Sequence, residues 1–194
     1  RTAFALSPEI GVVTNIELDH HTEFASAAEL EAAFAAWIAA LPHSVVDAPP
    51  YDGELRLPGE HNRSNAGSAL AALELLGVSR DEAAGPLARF TGTGRRFEVH
   101  DLGDRTLVDD YGHHPTEVAA AIAAARERFP GRPVRVLFQP HLYSRTRHLA
   151  SEFADALAAA DDVTVLDVYP AREQPLPGVT GKLIVEQLSD RGVL

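Results

Sequence analysis

Residues 106–147 read TLVDDYGHHPTEVAAAIAAARERFPGRPVRVLFQPHLYSRTR. A short strand at 106–110 passes through a polar turn into an Ala-rich stretch at 115–129, which begins with Pro115, a residue suited to a first helical turn. A second strand at 134–138 leads to a helical pattern over 145–160, and a third, VTVLDV, fills 163–168. A last helix is expected over about 181–191. Strands alternating with helices at this spacing predict βαβ units, a parallel sheet and right-handed crossovers. Just upstream, Arg96–Leu102 alternates as a strand, Gly103-Asp104 interrupts it, and Thr106–Asp110 resumes, which predicts a hairpin. The expected fold class is α/β, with a mainly parallel sheet and flanking helices.

The first half is less regular. Residues 9–16, EIGVVTNI, read as a buried strand running into the polar turn Glu17-Leu18-Asp19-His20-His21. Ser26 with Glu29 has the capping-box spacing for a helix to about Leu41, with Leu30, Phe34, Trp37 and Ile38 on one face. Ser44-Val45-Val46 can begin a strand, after which Asp47–Gly59 is rich in Pro and Gly and has no period. Residues 62–76 resume as a helix that stops at Gly77, and Ser79 with Glu82 caps a short helix to about Arg89.

Composition narrows the functions. With 45% hydrophobic and 23% charged residues the chain is of ordinary globular make-up. A net charge of −11 argues against non-specific nucleic-acid binding. The absence of cysteine excludes a thiolate nucleophile or metal site and fits a reducing compartment. No apolar run is long enough to span a bilayer and no signal peptide is visible, so the expected location is cytoplasmic. Of 17 basic residues all but Lys182 are Arg, so anion recognition must use Arg or backbone amides. The chain has no methionine and begins at Arg1, which predicts part of a longer protein.

In open parallel α/β sheets ligands bind beyond the carboxyl ends of the strands. Three expected strand ends carry dense polar clusters: Asp109-Asp110-Tyr111-Gly112-His113-His114, then Gln139-Pro140-His141 with Tyr143-Ser144-Arg145-Thr146-Arg147, then Asp167, Tyr169 and Arg172. Asp109-Asp110 can be a plain strand-end turn, or one carboxylate can bind a ribose hydroxyl or orient a cation. His113-His114 can be surface residues or donors to an anionic substrate. As a metal pair they are weak, since neighbours in a turn rarely chelate together. Arg145 and Arg147 stand at a helix start, where cations are unfavourable for the helix alone, so they are either a solvated pair or face a phosphate or carboxylate. Glu17, Asp19, His20, His21 and Glu23 form either a polar loop or an oxygen-rich Mg²⁺ site. His61-Asn62-Arg63-Ser64-Asn65 precedes a helix, and N-capping by Asn62 or Ser64 is the plain reading. Gly178-Val-Thr-Gly181-Lys182-Leu183 is no P-loop: two residues separate the glycines instead of four, and Leu stands where Ser or Thr must hold Mg²⁺.

Taken together these residues resemble the Mur ligase family, ATP-dependent amide ligases of peptidoglycan precursor synthesis. Val13-Thr-Asn-Ile-Glu-Leu-Asp-His20 is similar to the family's TNIE-x-DH segment and implies Glu17 as a Mg²⁺ contact near the γ-phosphate. Leu57-Pro-Gly-Glu-His-Asn-Arg-Ser-Asn65 resembles its PG-x-HN-x-x-N segment, implying His61, Asn62 and Asn65 near adenine. Arg95-Arg96-Phe97 resembles its RRF segment, implying Arg96 at the nucleotide. Asp109–Glu117 and Phe138–Arg147 are the most specific matches. They imply Asp110 at the ribose or phosphates, His113 and Arg145 as catalytic groups, and Tyr111, His114, His141 and Arg147 around the substrates.

The resemblance implies a Rossmann-like C-terminal ligase domain over 90–194 and an incomplete central ATP-binding domain over 1–89. It also implies a P-loop and an N-terminal UDP-binding domain that this chain does not contain. A further stretch of central domain is expected between Val46 and Asp47, where a strand here runs straight into a proline-rich loop. Leu142 departs from the Arg of many relatives. The implied cofactors are ATP and Mg²⁺, and the implied substrates are UDP-N-acetylmuramate and L-alanine. Tyr111-Gly112 before the His pair favours that reaction over murein-tripeptide recycling by the same family. A metal-dependent phosphoesterase and a non-catalytic nucleotide-binding fragment are the alternatives from other classes, and the lack of spaced ligand motifs counts against the first.

Overall fold

The computed structural model describes residues 5–19 and 24–192. The chain divides into two compact units, Arg1–Thr91 and Gly92–Leu194. Among the described residues, no helix is long and apolar enough to cross a membrane.

In the first unit β1 (Ile10–Val13) and β2 (His43–Val46) pair in parallel, with Ile10 opposite His43 and Val13 opposite Val46. Val13 and Val45 turn inward while Val12 and Val46 stay exposed, the alternation that a half-buried strand requires. The strand is shorter than the expected 9–16: the ladder ends at Val13, where the polar pair Thr14-Asn15 follows. The crossover is α1 (Ala27–Ala39), capped by Ser26 Oγ accepting from Glu29 N at 3.2 Å. Glu29 itself accepts from Ala25 N at 2.9 Å. Trp37 packs edge-on to Phe34 and donates Nε1–H to Leu6 O at 3.1 Å.

The Pro-rich stretch 47–59 is ordered by α2 (Glu60–Leu75). Tyr51 is buried against Ala66, Leu70 and Ala83, the last from α3 (Arg80–Arg89). Tyr51 N donates to Arg63 O at 2.9 Å, and Arg63 Nη1 returns to Tyr51 O and Gly53 O, both at 3.2 Å. Gly67 is where the helix meets this loop: a Cβ there would lie 2.0 Å from Pro49 O and 3.2 Å from Tyr51 N. Alanine gains up to about 1 kcal/mol of helix propensity over glycine. Overpacking against unyielding backbone costs about 1–3 kcal/mol or more. Gly67→Ala should therefore lower the urea midpoint of this chain, and an unchanged or raised midpoint would contradict the packing account. α3 has the expected capping box, with Ser79 N donating to Glu82 Oε2 at 2.9 Å and Glu82 N to Ser79 Oγ at 3.4 Å.

The second unit opens with the expected hairpin, β3 (Glu98–Asp101) antiparallel to β4 (Thr106–Asp109). Then follow α4 (Pro115–Arg128), β5 (Arg135–Phe138), α5 (Tyr143–Leu157), β6 (Asp162–Val165) and α6 (Lys182–Asp190). β5 and β6 pair in parallel, and the register continues to an isolated bridge between His141 and Tyr169. Phe153 and Leu157 of α5 and Ile184 and Leu188 of α6 are fully buried and form the centre of the core with Phe138. The βαβ order matches the reading from sequence, but the ladders are separate. Among the described residues β4 pairs only with β3 and β5 only with β6. A cavity of about 500 Å³, lined by β4, β5, Val118, Ile122 and Phe129 and also by Asp110 and Arg132, occupies the space between them.

Gly181, part of the rejected P-loop look-alike, has a packing role. A Cβ there would sit 2.2 Å from Leu166 O, so glycine lets the start of α6 press against the end of β6. Its N–H donates to Asp167 Oδ1 at 3.3 Å.

Candidate functional site

The strand-end clusters of the second unit converge. After β4 the chain is shaped by Asp110, whose two carboxylate oxygens accept from backbone amides, Oδ1 from Gly112 N at 2.7 Å and Oδ2 from Phe97 N at 2.8 Å. Tyr111 N donates to Arg95 O at 2.8 Å. These bonds tie the Arg95–Phe97 strip to the turn after β4. Tyr111, 43% exposed, then lies under two guanidinium groups, Arg95 at 4.9 Å and Arg96 at 5.8 Å from its ring centre. A Cβ at position 112 would lie 2.9 Å from Asp110 Oδ1, so a side chain there would push the carboxylate off the Gly112 amide.

The imidazoles come next. The His113 ring packs edge-on to Tyr111 at 5.3 Å and lies 6.1 Å from His141, which stacks at 5.7 Å on the exposed ring of Tyr169. Tyr111, His113, His141 and Tyr169 thus form a row of rings past the ends of β4, β5 and β6. Arg145 stands behind it, only 3% exposed, with Nη1 donating to His141 O at 3.2 Å and lying 3.1 Å from His141 Nδ1. A buried guanidinium is costly without partners, and here it is held against the ring row by hydrogen bonds. Arg147, two positions further, faces a different side of the helix, exposed and beside His148 at 3.4 Å.

Glu117 organises the turn into α4. One of its oxygens accepts from His113 N at 2.8 Å and His114 N at 3.1 Å, so His114 is the cap residue of α4. The other lies 3.7 Å from Arg96 Nη1. Burial pushes the Glu117 carboxyl up, but the His113 amide and ring, the His114 amide and Arg96 together outweigh it and hold the group below its ordinary value. A carboxyl with a depressed native pKa stabilises the fold at neutral pH. It loses that contribution as the pH falls from its unfolded value, about 4.3, through the native one. Glu117→Gln should therefore lower the melting temperature at pH 7, with the difference from wild type shrinking toward pH 3. A pH-independent difference would contradict the assignment.

The first-unit candidates take these positions. His61, Asn62 and Asn65 lie in the first two turns of α2, which begins earlier than expected. The helix is capped by Gly59 at φ +95°, so the capping reading of Asn62 or Ser64 is wrong: both are inside the helix. Asn62 instead donates Nδ2–H to Pro58 O at 2.6 Å. Glu17 is exposed beyond β1, and Asp19 is half-buried, while His20, His21 and Glu23 lie outside the described residues. Among the described residues no three Asp, Glu or His side chains converge as a metal cluster. Glu17 and Asp19 nonetheless have the right chemistry for Mg²⁺, which takes one or two carboxylates and completes its shell with water and phosphate.

Sequence reading placed Tyr169 in a strand-end cluster and Arg95 and Glu117 inside motifs without giving any of the three a role, and it did not single out Glu173. Glu117 had a local signal, an acidic residue in the first turn of a helix opened by Pro115. Glu173 had none. Its carboxylate accepts from Ser144 N at 2.9 Å and from Ser144 Oγ, across 29 residues of chain. The anion expected at the start of α5 is thus supplied within the unit itself.

The chain is similar to known proteins. The family profile of the Mur ligase, glutamate ligase domain matches residues 95–193. The UDP-N-acetylmuramate–L-alanine ligase of Arthrobacter sp. strain FB24 is 56% identical over 142 residues, 73% of this chain and 30% of that protein. The ligase of the same name from Renibacterium salmoninarum is 57% identical over 134 residues, 69% of this chain and 29% of that protein. The crystal structure of the UDP-N-acetylmuramate–alanine ligase of Thermotoga maritima superposes with a TM-score of 0.72 at 25% identity, covering 97% of this chain and 50% of that one. The match therefore spans about 30% of the length of these curated relatives. With a profile match over more than half of its length, the chain belongs to the Mur ligase family.

Proposed function

We propose that this chain is part of an ATP-dependent amide ligase that joins L-alanine to the muramate carboxylate of UDP-N-acetylmuramate in cytoplasmic peptidoglycan precursor synthesis. The observation that carries the reading is the convergence of Tyr111, His113, His141 and the buried Arg145, in a chain more than half identical to ligases of that name over the matched residues. Residues 90–194 would be the C-terminal ligase domain. Residues 1–89 would be an incomplete central ATP-binding domain, lacking a stretch between Val46 and Asp47.

The reaction has two steps. A carboxylate oxygen attacks the γ-phosphorus of ATP and ADP leaves, giving an acyl phosphate. The amine nitrogen then attacks the acyl carbon, phosphate leaves, and the nitrogen gives up a proton. Both steps concentrate negative charge, so the protein's task is to neutralise charge and align groups that repel. Arg145 and His113 would donate to the acyl phosphate and the tetrahedral oxyanion. Tyr111, His114, His141 and Arg147 would flank the substrates. His61, Asn62 and Asn65 would meet adenine, and Arg96 the nucleotide. Asp110 would act at the nucleotide through the Arg95–Phe97 strip that it holds. Mg²⁺, held by Glu17, would neutralise the γ-phosphate when bound.

The test is a substrate panel on the full-length enzyme carrying this sequence. ATP consumption and product mass are measured with UDP-N-acetylmuramate plus L-alanine, and with murein tripeptide. ADP release and amide product with L-alanine are expected. Turnover with the tripeptide alone would reassign the chain to the recycling branch, and turnover with neither would refute ligation.

A further inference from the structure

Helix α5 starts without a local cap. Its N-cap residue is Leu142, at φ +73° and with no side-chain oxygen to offer the first-turn amides. Glu173 serves instead, accepting from the amide and hydroxyl of Ser144. The carboxylate is presented by a tight turn in which Glu173 N donates to Pro170 O at 2.9 Å, with Ala171 at φ +49°. Just before the turn, Tyr169 N donates to Pro140 O at 2.8 Å, Leu142 N donates to Tyr169 O at 2.9 Å, and the Tyr169 ring covers His141. Segment 169–173 therefore grips the β5–α5 loop on both sides, at His141 and at Ser144, and Arg145 is the next residue.

A helix start is the natural place for a substrate anion, and here the protein's own carboxylate fills it. Contact with an anionic substrate then falls to the Arg145 side chain, whose aim depends on the first turn of α5. We propose that Glu173 is a positioning residue: by capping α5 it fixes the Arg145 guanidinium beside His141 for the ligation chemistry. This rests on the function proposed above. Burial pushes the Glu173 carboxyl up, and its bonds to Ser144 with the Tyr143 amide and the Arg145 charge outweigh that, so the cap is ionised at neutral pH.

Two measurements test this. In the 194-residue chain, Glu173→Gln keeps the shape and removes the charge, so hydrogen exchange at the Arg145 Nε–H, read by NMR, should rise about tenfold or more. Glu173→Asp retains the charge and, in case the first variant does not fold, should keep that exchange within about threefold of wild type. In the full-length enzyme, Glu173→Gln should lower kcat about tenfold or more while KM for ATP stays within about twofold, the pattern of a misaimed group. Unchanged Arg145 exchange in Glu173→Gln overturns the proposal, and so does unchanged kcat in an active enzyme. Should wild-type enzyme fail to ligate L-alanine, the reading of its function falls, and Arg145 exchange alone then decides whether Glu173 positions it.

Discussion

Arg145→Ala in the full-length enzyme should lower kcat/KM by roughly 10²-fold or more, the loss typical of a preorganised donor to developing negative charge. The magnitude follows from where the guanidinium sits. At 3% exposure it is screened by little water, and its Nη1 is already committed to His141. A group held in this way changes little in geometry between ground and transition states, so its attraction to a growing oxyanion costs no reorganisation. Arg145→Lys should recover only a small part, because an ammonium lacks the planar fork that reaches His141 O and a substrate at the same time. The check is steady-state kinetics with each of the three substrates varied. Unchanged kcat/KM for all of them would remove Arg145 from the mechanism.

The largest effect on stability is expected at Phe153. Its side chain is fully buried, its ring centre is 5.0 Å from that of Phe138, and it joins α5 to β5 in the core of the second unit. Phe153→Ala removes the ring and leaves a cavity, a change that costs about 3–5 kcal/mol in well-packed cores. A domain of about 100 residues has a total stability of roughly 5–15 kcal/mol, so the variant should be partly unfolded at moderate temperature. Urea denaturation followed through tyrosine fluorescence of the second unit measures this. A loss under about 1 kcal/mol would mean that the site collapses around the missing ring.

Most of the second unit was legible in the sequence, because βαβ order shows as period and punctuation: VRVLF as a strand, Pro115 as a helix start, Gly103-Asp104 as a turn. The convergence of strand-end clusters followed from the rule for parallel sheets, and Tyr111, His113, His141 and Arg145 do come together. What was not legible depends on distance in the chain. The carboxylate that caps α5 is 29 residues from its partner, and no local pattern marks it. The start of α2 was misread because Gly59 caps it by backbone conformation at φ +95°, whereas Asn62 and Ser64 look like caps by side-chain chemistry. The loop 47–59 read as patternless because its order comes from Tyr51 and Arg63 bonding across it.

The separate ladders of β4 and β5 also bear on how the chain behaves at the bench. Leu107 and Leu137 are 51% and 68% exposed on strands that each carry a ladder on one edge only, among the described residues. Half-bare strands with leucine on show are templates for neighbouring molecules, and the usual outcome is growth of insoluble particles as concentration rises. The net charge of −11 opposes this by mutual repulsion, which salt weakens. Turbidity of purified chain should therefore climb with added sodium chloride, and Leu107→Lys or Leu137→Lys should keep the solution clear.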